Sequence, residues 1–393
     1  MRKAAVNISR LVLAVTFILS GFVKAVDPLG TQYKLHDYLT AMHLGTVVPD
    51  FMTLGAAVLL SAVEFVLGIC LLFAIRRRLV SLLVLLMMAV MTPLTLWLAV
   101  ADPVSDCGCF GDALVLTNWQ TFGKNVVLLL MAAVVRWKPL DMVRFISKSN
   151  QWLIINYTAV FIFAVSGWSL YDLPYFDFRP YHVGTDLRDG WQRMMNGEES
   201  PYADLFMERV GDGMDMTDSL LQSRGYVFLL VSPHLEQADD SQLDRINEVY
   251  EYADDHHYPF YCLTASGDKG IRFWQDVTGA EYPYCLTDET TLKTIIRSNP
   301  GLLLLHDGVI IRKWSHNRLP NGEVLTQPLE RLDIGRMPKD SVPGKILVIL
   351  LWYVLPLAVI TLADGLWRLW KRRKARQQTA TDKTPCEQEQ AQA

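Results

Sequence analysis

Two cysteines separated by one glycine stand in the stretch Asp106-Cys107-Gly108-Cys109-Phe110-Gly111-Asp112. A disulfide closing so small a ring is strained, and the glycine supplies the backbone freedom that closure needs. A strained and exposed disulfide is oxidising and labile, which suits exchange with a partner's thiols through a mixed disulfide. Two other readings stand beside it. The bridge could be an inert structural clip, or the pair could be half of a metal site, although this loop offers no obvious further ligands and no metal is expected.

Two charged residues lie where charge is costly. Glu64 falls near the middle of an apolar run, in Glu64-Phe65-Val66-Leu67-Gly68, and an ionisable group at such depth must face a partner or a polar cavity. Lys24 and Asp27 close the first apolar run in Ser20-Gly21-Phe22-Val23-Lys24-Ala25-Val26-Asp27-Pro28. A lysine at a helix end can also simply reach out to lipid headgroups, so Lys24 is the weaker functional candidate.

The elements that position these groups are membrane spans. The 393 residues are 51% hydrophobic and 20% charged, with a net charge of -4, and the charges are clustered. That balance excludes the basic surface a nucleic-acid partner would need. Six apolar stretches, at 8 to 25, 51 to 74, 79 to 101, 119 to 137, 152 to 171 and 345 to 367, each approach the ~20 residues required to cross a bilayer. The fourth is the weakest because Lys124 and Asn125 interrupt it. The first could instead be a signal peptide, but no small-residue cleavage site follows Lys24.

Basic residues at Arg2-Lys3, Arg76-Arg77-Arg78, Arg136 to Lys148 and Lys371 to Lys374 fall on alternate loops of a six-span chain, which assigns those loops and both termini to the cytoplasm. The expected setting is the bacterial inner membrane, with the lipid bilayer as a partner. Residues 172 to 342 then form a periplasmic domain, and the tail 371 to 393, rich in Gln, Thr and Ala, is expected to be disordered. Cys107, Cys109, Cys262 and Cys285 fall on the outer side, where disulfides persist.

Within the soluble segment, Tyr226 to Val231 reads as a buried strand, and Leu243, Ile246, Val249, Tyr250 and Ala253 follow at helical spacing. Pro259 to Leu263 is a second strand, followed by a helix through Ile271 to Val277 and another at Leu292 to Ile296. Asn299-Pro300 leads into a hairpin, Gly301 to Leu305 and Val309 to Trp314, turning at Asp307-Gly308, and a last helix is expected near 325 to 332. Cys262 and Cys285 are either buried thiols, a structural disulfide or a functional redox pair.

This order, with a proline just before the hairpin, resembles the thioredoxin fold over a core of about 222 to 336, in which that proline is cis beside the active site. Where thioredoxins carry Cys-x-x-Cys, this chain reads Ser232-Pro233-His234-Leu235. The resemblance therefore implies a degenerate domain that binds by its groove at Ser232, Pro233, His234 and Pro300.

The Ser-Gly-x-x-Lys-x-x-Asp-Pro ending, the mid-span Glu64 and the Cys107-Gly108-Cys109-Phe110-Gly111 loop resemble the DoxX family, especially its MauE-like branch, over residues 1 to 140. The resemblance implies a four-helix membrane bundle, laid out like vitamin K epoxide reductase. Residues 141 to 171 add a cytoplasmic loop and fifth span, and 343 to 370 the sixth span. The fusion to a TlpA-like thioredoxin domain resembles a group of proteins from Bacteroidetes bacteria. The fold class is thus an α-helical membrane protein with an α/β thioredoxin-like periplasmic domain.

Reductase relatives pair a membrane Cys-x-x-Cys with a quinone, whereas this chain has no Cys-x-x-Cys, so no cofactor is evident and a quinone lacks support. Two functions remain open: a membrane thiol-disulfide factor acting on a periplasmic client or thiol protein through Cys107 and Cys109, and a non-enzymatic anchoring or assembly protein. A proton or ion path through Glu64 and Lys24 is a third, with less support because one carboxylate makes no pathway.

Overall fold

The computed structural model describes residues 2–45, 47–104, 107–198, 205–339 and 342–390, and divides into two compact units, 1–166 with 342–393, and 167–341. The first unit opens with α1 (Arg2–Val26), α2 (Pro28–Ala41), α3 (Asp50–Phe73), α4 (Arg77–Ala101), α5 (Asn118–Trp137) and α6 (Gln151–Tyr171).

Helices α1 and α3 approach closely because Gly21 has no side chain: a Cβ there would lie 2.4 Å from the Phe65 backbone nitrogen. That contact sets Ser20 and Lys24 against Glu64. Of the polar residues that interrupt α5, Asn125 faces its neighbour, with its Nδ2 donating to Thr95 Oγ1 of α4 at 3.2 Å. α5 packs as a full helix, yet Lys124 and Asn125 keep it out of the five helices that, among the described residues, are long and apolar enough to cross a membrane by composition.

One end of this unit is tied together by the loop between α5 and α6. Arg10 Nη1 donates to the Val143 carbonyl at 2.6 Å and Arg77 Nη1 to that of Met142 at 2.9 Å. The start of α1, the start of α4 and the end of α5 therefore share one end, and the Cys107–Cys109 loop between α4 and α5 lies at the other.

In the second unit, α7 (Leu187–Met195), β1 (Glu208–Arg209) and α8 (Thr217–Leu221) precede the core. The core runs β2 (Tyr226–Ser232), α9 (Leu243–Asp255), β3 (Phe260–Thr264), α10 (Asp268–Thr278), β4 (Tyr284–Leu286), α11 (Glu289–Ile295), β5 (Gly301–His306) and β6 (Val309–Ser315). The sheet order is β1-β4-β3-β2-β5-β6, with β2, β3 and β4 parallel and β5 and β6 antiparallel to their neighbours. All seven residues of β2 are buried, because Phe228 and Leu230 face Ile246 and Trp274 while Leu229 and Val231 face Leu205 and Leu292. A central strand covered on both faces is continuously apolar for that reason.

The Asn299-Pro300 peptide is cis and leads directly into β5. Together with the strand order, this is a thioredoxin-like arrangement. The hairpin turns on Asp307 and Gly308, both at positive φ, as an Asp-Gly turn requires. The helix expected near 325 to 332 is replaced by short 3-10 turns at Leu329–Arg331 and Asp333–Gly335, since Pro328 biases the residue before it away from the α conformation.

The chain returns to the first unit through α12 (Val342–Ile349), a π-helical turn (Leu350–Val354) and α13 (Leu355–Gln390). Tyr353 stacks on Phe161 with centroids 4.1 Å apart and lies 5.5 Å from Phe65, seating this helix against α6 and α3. Asp364 accepts from the Ser147 backbone at 2.8 Å, and Arg368 Nη2 donates to the Phe145 carbonyl at 2.9 Å, so α13 joins the same loop that binds α1 and α4. The helix α13 runs on past the basic residues Lys371 to Lys374.

Candidate redox site at the Cys107–Cys109 loop

Cys107 and Cys109 are free thiols with their sulfur atoms 2.9 Å apart. Gly108 between them adopts a φ of 61°, the left-handed conformation that glycine takes without steric cost. The loop is fastened on both sides of this glycine. The Tyr38 hydroxyl of α2 donates to the Cys107 carbonyl, and Ser20 Oγ of α1 lies 2.8 Å from the Cys109 carbonyl oxygen.

Ser20 also links the loop to a buried ion pair. Its Oγ lies 2.7 Å from Glu64 Oε2, so its single hydrogen serves either the carboxylate or the Cys109 carbonyl, and it accepts from Lys24 Nζ at 3.0 Å. Lys24 Nζ reaches both Glu64 oxygens at 2.7 Å, with each side chain only 8% exposed. Lys24 thus points inward rather than out to headgroups, and Glu64 has a partner that accounts for its burial. Asp27 plays a separate, capping role, in which its Oδ1 accepts from the Gly30 amide at 2.9 Å at the start of α2, whose first residue is Pro28. That cap holds the helix bearing Tyr38. Asp106 lies outside the described residues.

The two thiols differ in acidity. The hydrogen bond from Cys107 draws the Cys109 thiol down to about 6; burial opposes this, and the ammonium groups of Lys124 and Lys24 assist. Cys107 is pushed up, first by that same hydrogen bond and then by burial. The two thiols titrate as a pair, the hydrogen bond between them lowering one at the expense of the other. Lys124 of α5 rests its Nζ 4.4 Å from the centre of the Phe110 ring, next to Cys109.

In the second unit the end of β2 carries no thiol. Ser232 is fully buried, and its Oγ donates to Asn299 Oδ1 at 2.6 Å while Asn299 Nδ2 donates to the His234 carbonyl at 2.9 Å. The Asn299 carbonyl, just before Pro300, accepts from the Asp239 amide at 2.9 Å. These bonds tie Asn299, just before Pro300, to the segment that follows β2. His234 Nε2 lies 3.0 Å from Glu289 Oε1, a partly exposed contact that directs the ring to this carboxylate.

Cys262 and Cys285 are free and buried. Cys262 lies beside Tyr284 and Cys285 beside Leu263, so the two thiols point to opposite faces of the sheet, into separate cores. A structural disulfide between them is not formed, since strand alternation directs the two Cβ atoms apart. Among the described residues no group of three or more His, Cys, Asp or Glu could hold a metal ion.

The residues that sequence reasoning did not single out are Tyr38, Asn299 and, as a positive contributor, Lys124. Ser20 was visible only as part of a motif. The interruption of an apolar run by Lys124 was a signal of its inward role.

No curated protein matches the chain. A solved structure titled a putative protein disulfide isomerase from Bacteroides thetaiotaomicron is 15% identical, covers 29% of this chain and 75% of its own, and has a TM-score of 0.24. The bacterioferritin comigratory protein of Xanthomonas campestris is 12% identical, covers 30% of this chain and 83% of its own, and has a TM-score of 0.23. Residues 2–138, the stretch that holds α1 to α5, match the family described as methylamine utilisation protein MauE.

Proposed function

We propose that this protein is a membrane thiol-disulfide exchange factor whose reactive group is Cys107 and Cys109. The observation that carries the reading is the setting of the pair: two free thiols 2.9 Å apart, each with its backbone carbonyl fastened to a helix. An inert clip needs no such anchoring and gains nothing from unequal thiols, whereas exchange benefits from both.

The site of action is the outer face of the bacterial inner membrane, with α5 as the fourth of six spans. Trp119 and Trp137 are exposed at the two ends of α5, roughly 27 Å apart at 1.5 Å per residue, as interfacial anchors of a spanning helix would be. The basic segments converge on the loop between α5 and α6, which supports a cytoplasmic position for that end and for both termini. The thioredoxin-like unit, periplasmic in this topology, serves to hold a client.

The test is thiol trapping in intact cells with a mass-tagged alkylating reagent, comparing wild type with Cys107→Ser and Cys109→Ser. Exchange requires both oxidised and reduced forms in wild type and a mixed disulfide with another protein in one single variant. A wholly oxidised pair that captures nothing favours the second reading, an anchoring or assembly protein. That reading draws on the absence of any thiol at the end of β2.

A further inference from the structure

We propose that Cys107 is the sulfur a partner's thiolate attacks and Cys109 the sulfur that leaves, with Lys124 as the positioning residue that stabilises the departing thiolate. The inference rests on the reading of the pair as an exchange site and assigns the roles within it.

Three observations converge on this direction. Ser20 ties the Cys109 carbonyl to the buried Lys24–Glu64 pair, so Cys109 is anchored to the interior of the bundle. Cys107 is fastened instead to the half-buried Tyr38 on α2, away from that cluster. Lys124 sits against Phe110, the residue after Cys109, and so brings a positive charge to the Cys109 side of the loop. The lowered pKa of Cys109 agrees with this arrangement, because the more acidic thiol leaves faster in exchange.

Starting from the oxidised pair, a partner's thiolate forms a bond to Cys107 Sγ, the Cys107–Cys109 bond breaks, and its electron pair stays on Cys109 Sγ. A second thiolate of the partner then attacks the partner's own sulfur in the mixed disulfide and expels Cys107, which takes up a proton. The partner loses two electrons to form its disulfide, and the pair ends as one thiol hydrogen-bonded to one thiolate.

Glutathione is a suitable monothiol probe. Full-length oxidised protein in detergent is mixed with glutathione, quenched with N-ethylmaleimide, and the site of each adduct is read by peptide mass. Glutathione on Cys107 with maleimide on Cys109 is the expected product; glutathione on Cys109 overturns the assignment. Lys124→Gln is expected to slow the attack by about tenfold at neutral pH and to raise the pH midpoint of Cys109 alkylation in the reduced protein, with Lys124→Arg restoring both. An unchanged midpoint in Lys124→Gln overturns the role of Lys124. Because the probe is a small thiol, reversed adducts defeat this inference alone, while correct adducts without any client in cells defeat only the exchange function. If neither sulfur accepts glutathione, both fall.

Discussion

Ser20 Oγ lies 2.8 Å from the carbonyl oxygen of Cys109, so that one hydroxyl joins the first helix, the buried ion pair and the thiol loop. Ser20→Ala removes that link while leaving the cysteines in place. It is expected to cost about 1–3 kcal/mol through the unpaired carbonyl and to speed amide exchange in residues 107–111. Hydrogen exchange measured by mass spectrometry checks this, and unchanged protection of the loop would contradict it.

The Lys24–Glu64 pair contributes stability only while both members are present. Lys24→Ala leaves a buried carboxylate without a counter-charge, at an expected cost of about 3–5 kcal/mol, whereas Lys24→Met combined with Glu64→Leu costs clearly less. Thermal unfolding of the purified protein compares the three. A double variant as unstable as the single one would show that the charge itself is required.

Much of this fold was legible locally. The apolar run at Tyr226 to Val231, the helical spacing from Leu243 to Ala253 and the Asp307-Gly308 turn each reflect short-range patterning, and the elements appear where that patterning places them. The short strands β1 and β4 carry too few residues to show a period, and they form through long-range pairing, β4 against Cys262 to Thr264 of β3 and β1 against Cys285 and Leu286 of β4. The site was half legible. Cys107, Cys109, Lys24 and Glu64 stand out by type, but Tyr38 and Lys124 act through tertiary approach, which residue spacing does not encode. The separation of Cys262 from Cys285 likewise depends on register, since a shift of one residue along β4 would have put both on one face.

Cys262 and Cys285 are expected to resist alkylation in the folded protein and to react fully after denaturation without a reductant. Burial pushes the Cys285 thiol up to about 11 and Cys262 higher still, which further suppresses reaction. Differential mass tagging reads this directly. A tag that appears only after reduction would indicate a bond between them.

The second unit contains a buried charge cluster with its own pH dependence. Burial alone would raise the Asp177 carboxyl, but Lys313 and Arg179 overcome this and hold it at about 2. Lys313 in turn is drawn down to about 7, because burial and the neighbouring Arg179 outweigh Asp177. For Asp177 the folded value lies below the ordinary 3.8, so its contribution is complete above that pH and is lost as the pH falls through about 2. Amide exchange in β6 is therefore expected to rise between about pH 4 and 2, and Asp177→Asn to flatten that rise. A slope unaffected by the substitution would contradict the assignment.

Exchange through Cys107 and Cys109 is tested most directly by an equilibrium titration of the pair in the full-length protein against glutathione buffers of graded redox poise, read by alkylation mass shift. A reversible passage between dithiol and disulfide is expected within the range of those buffers, abolished in either single serine variant. A pair that stays wholly oxidised or wholly reduced across the whole series would contradict it.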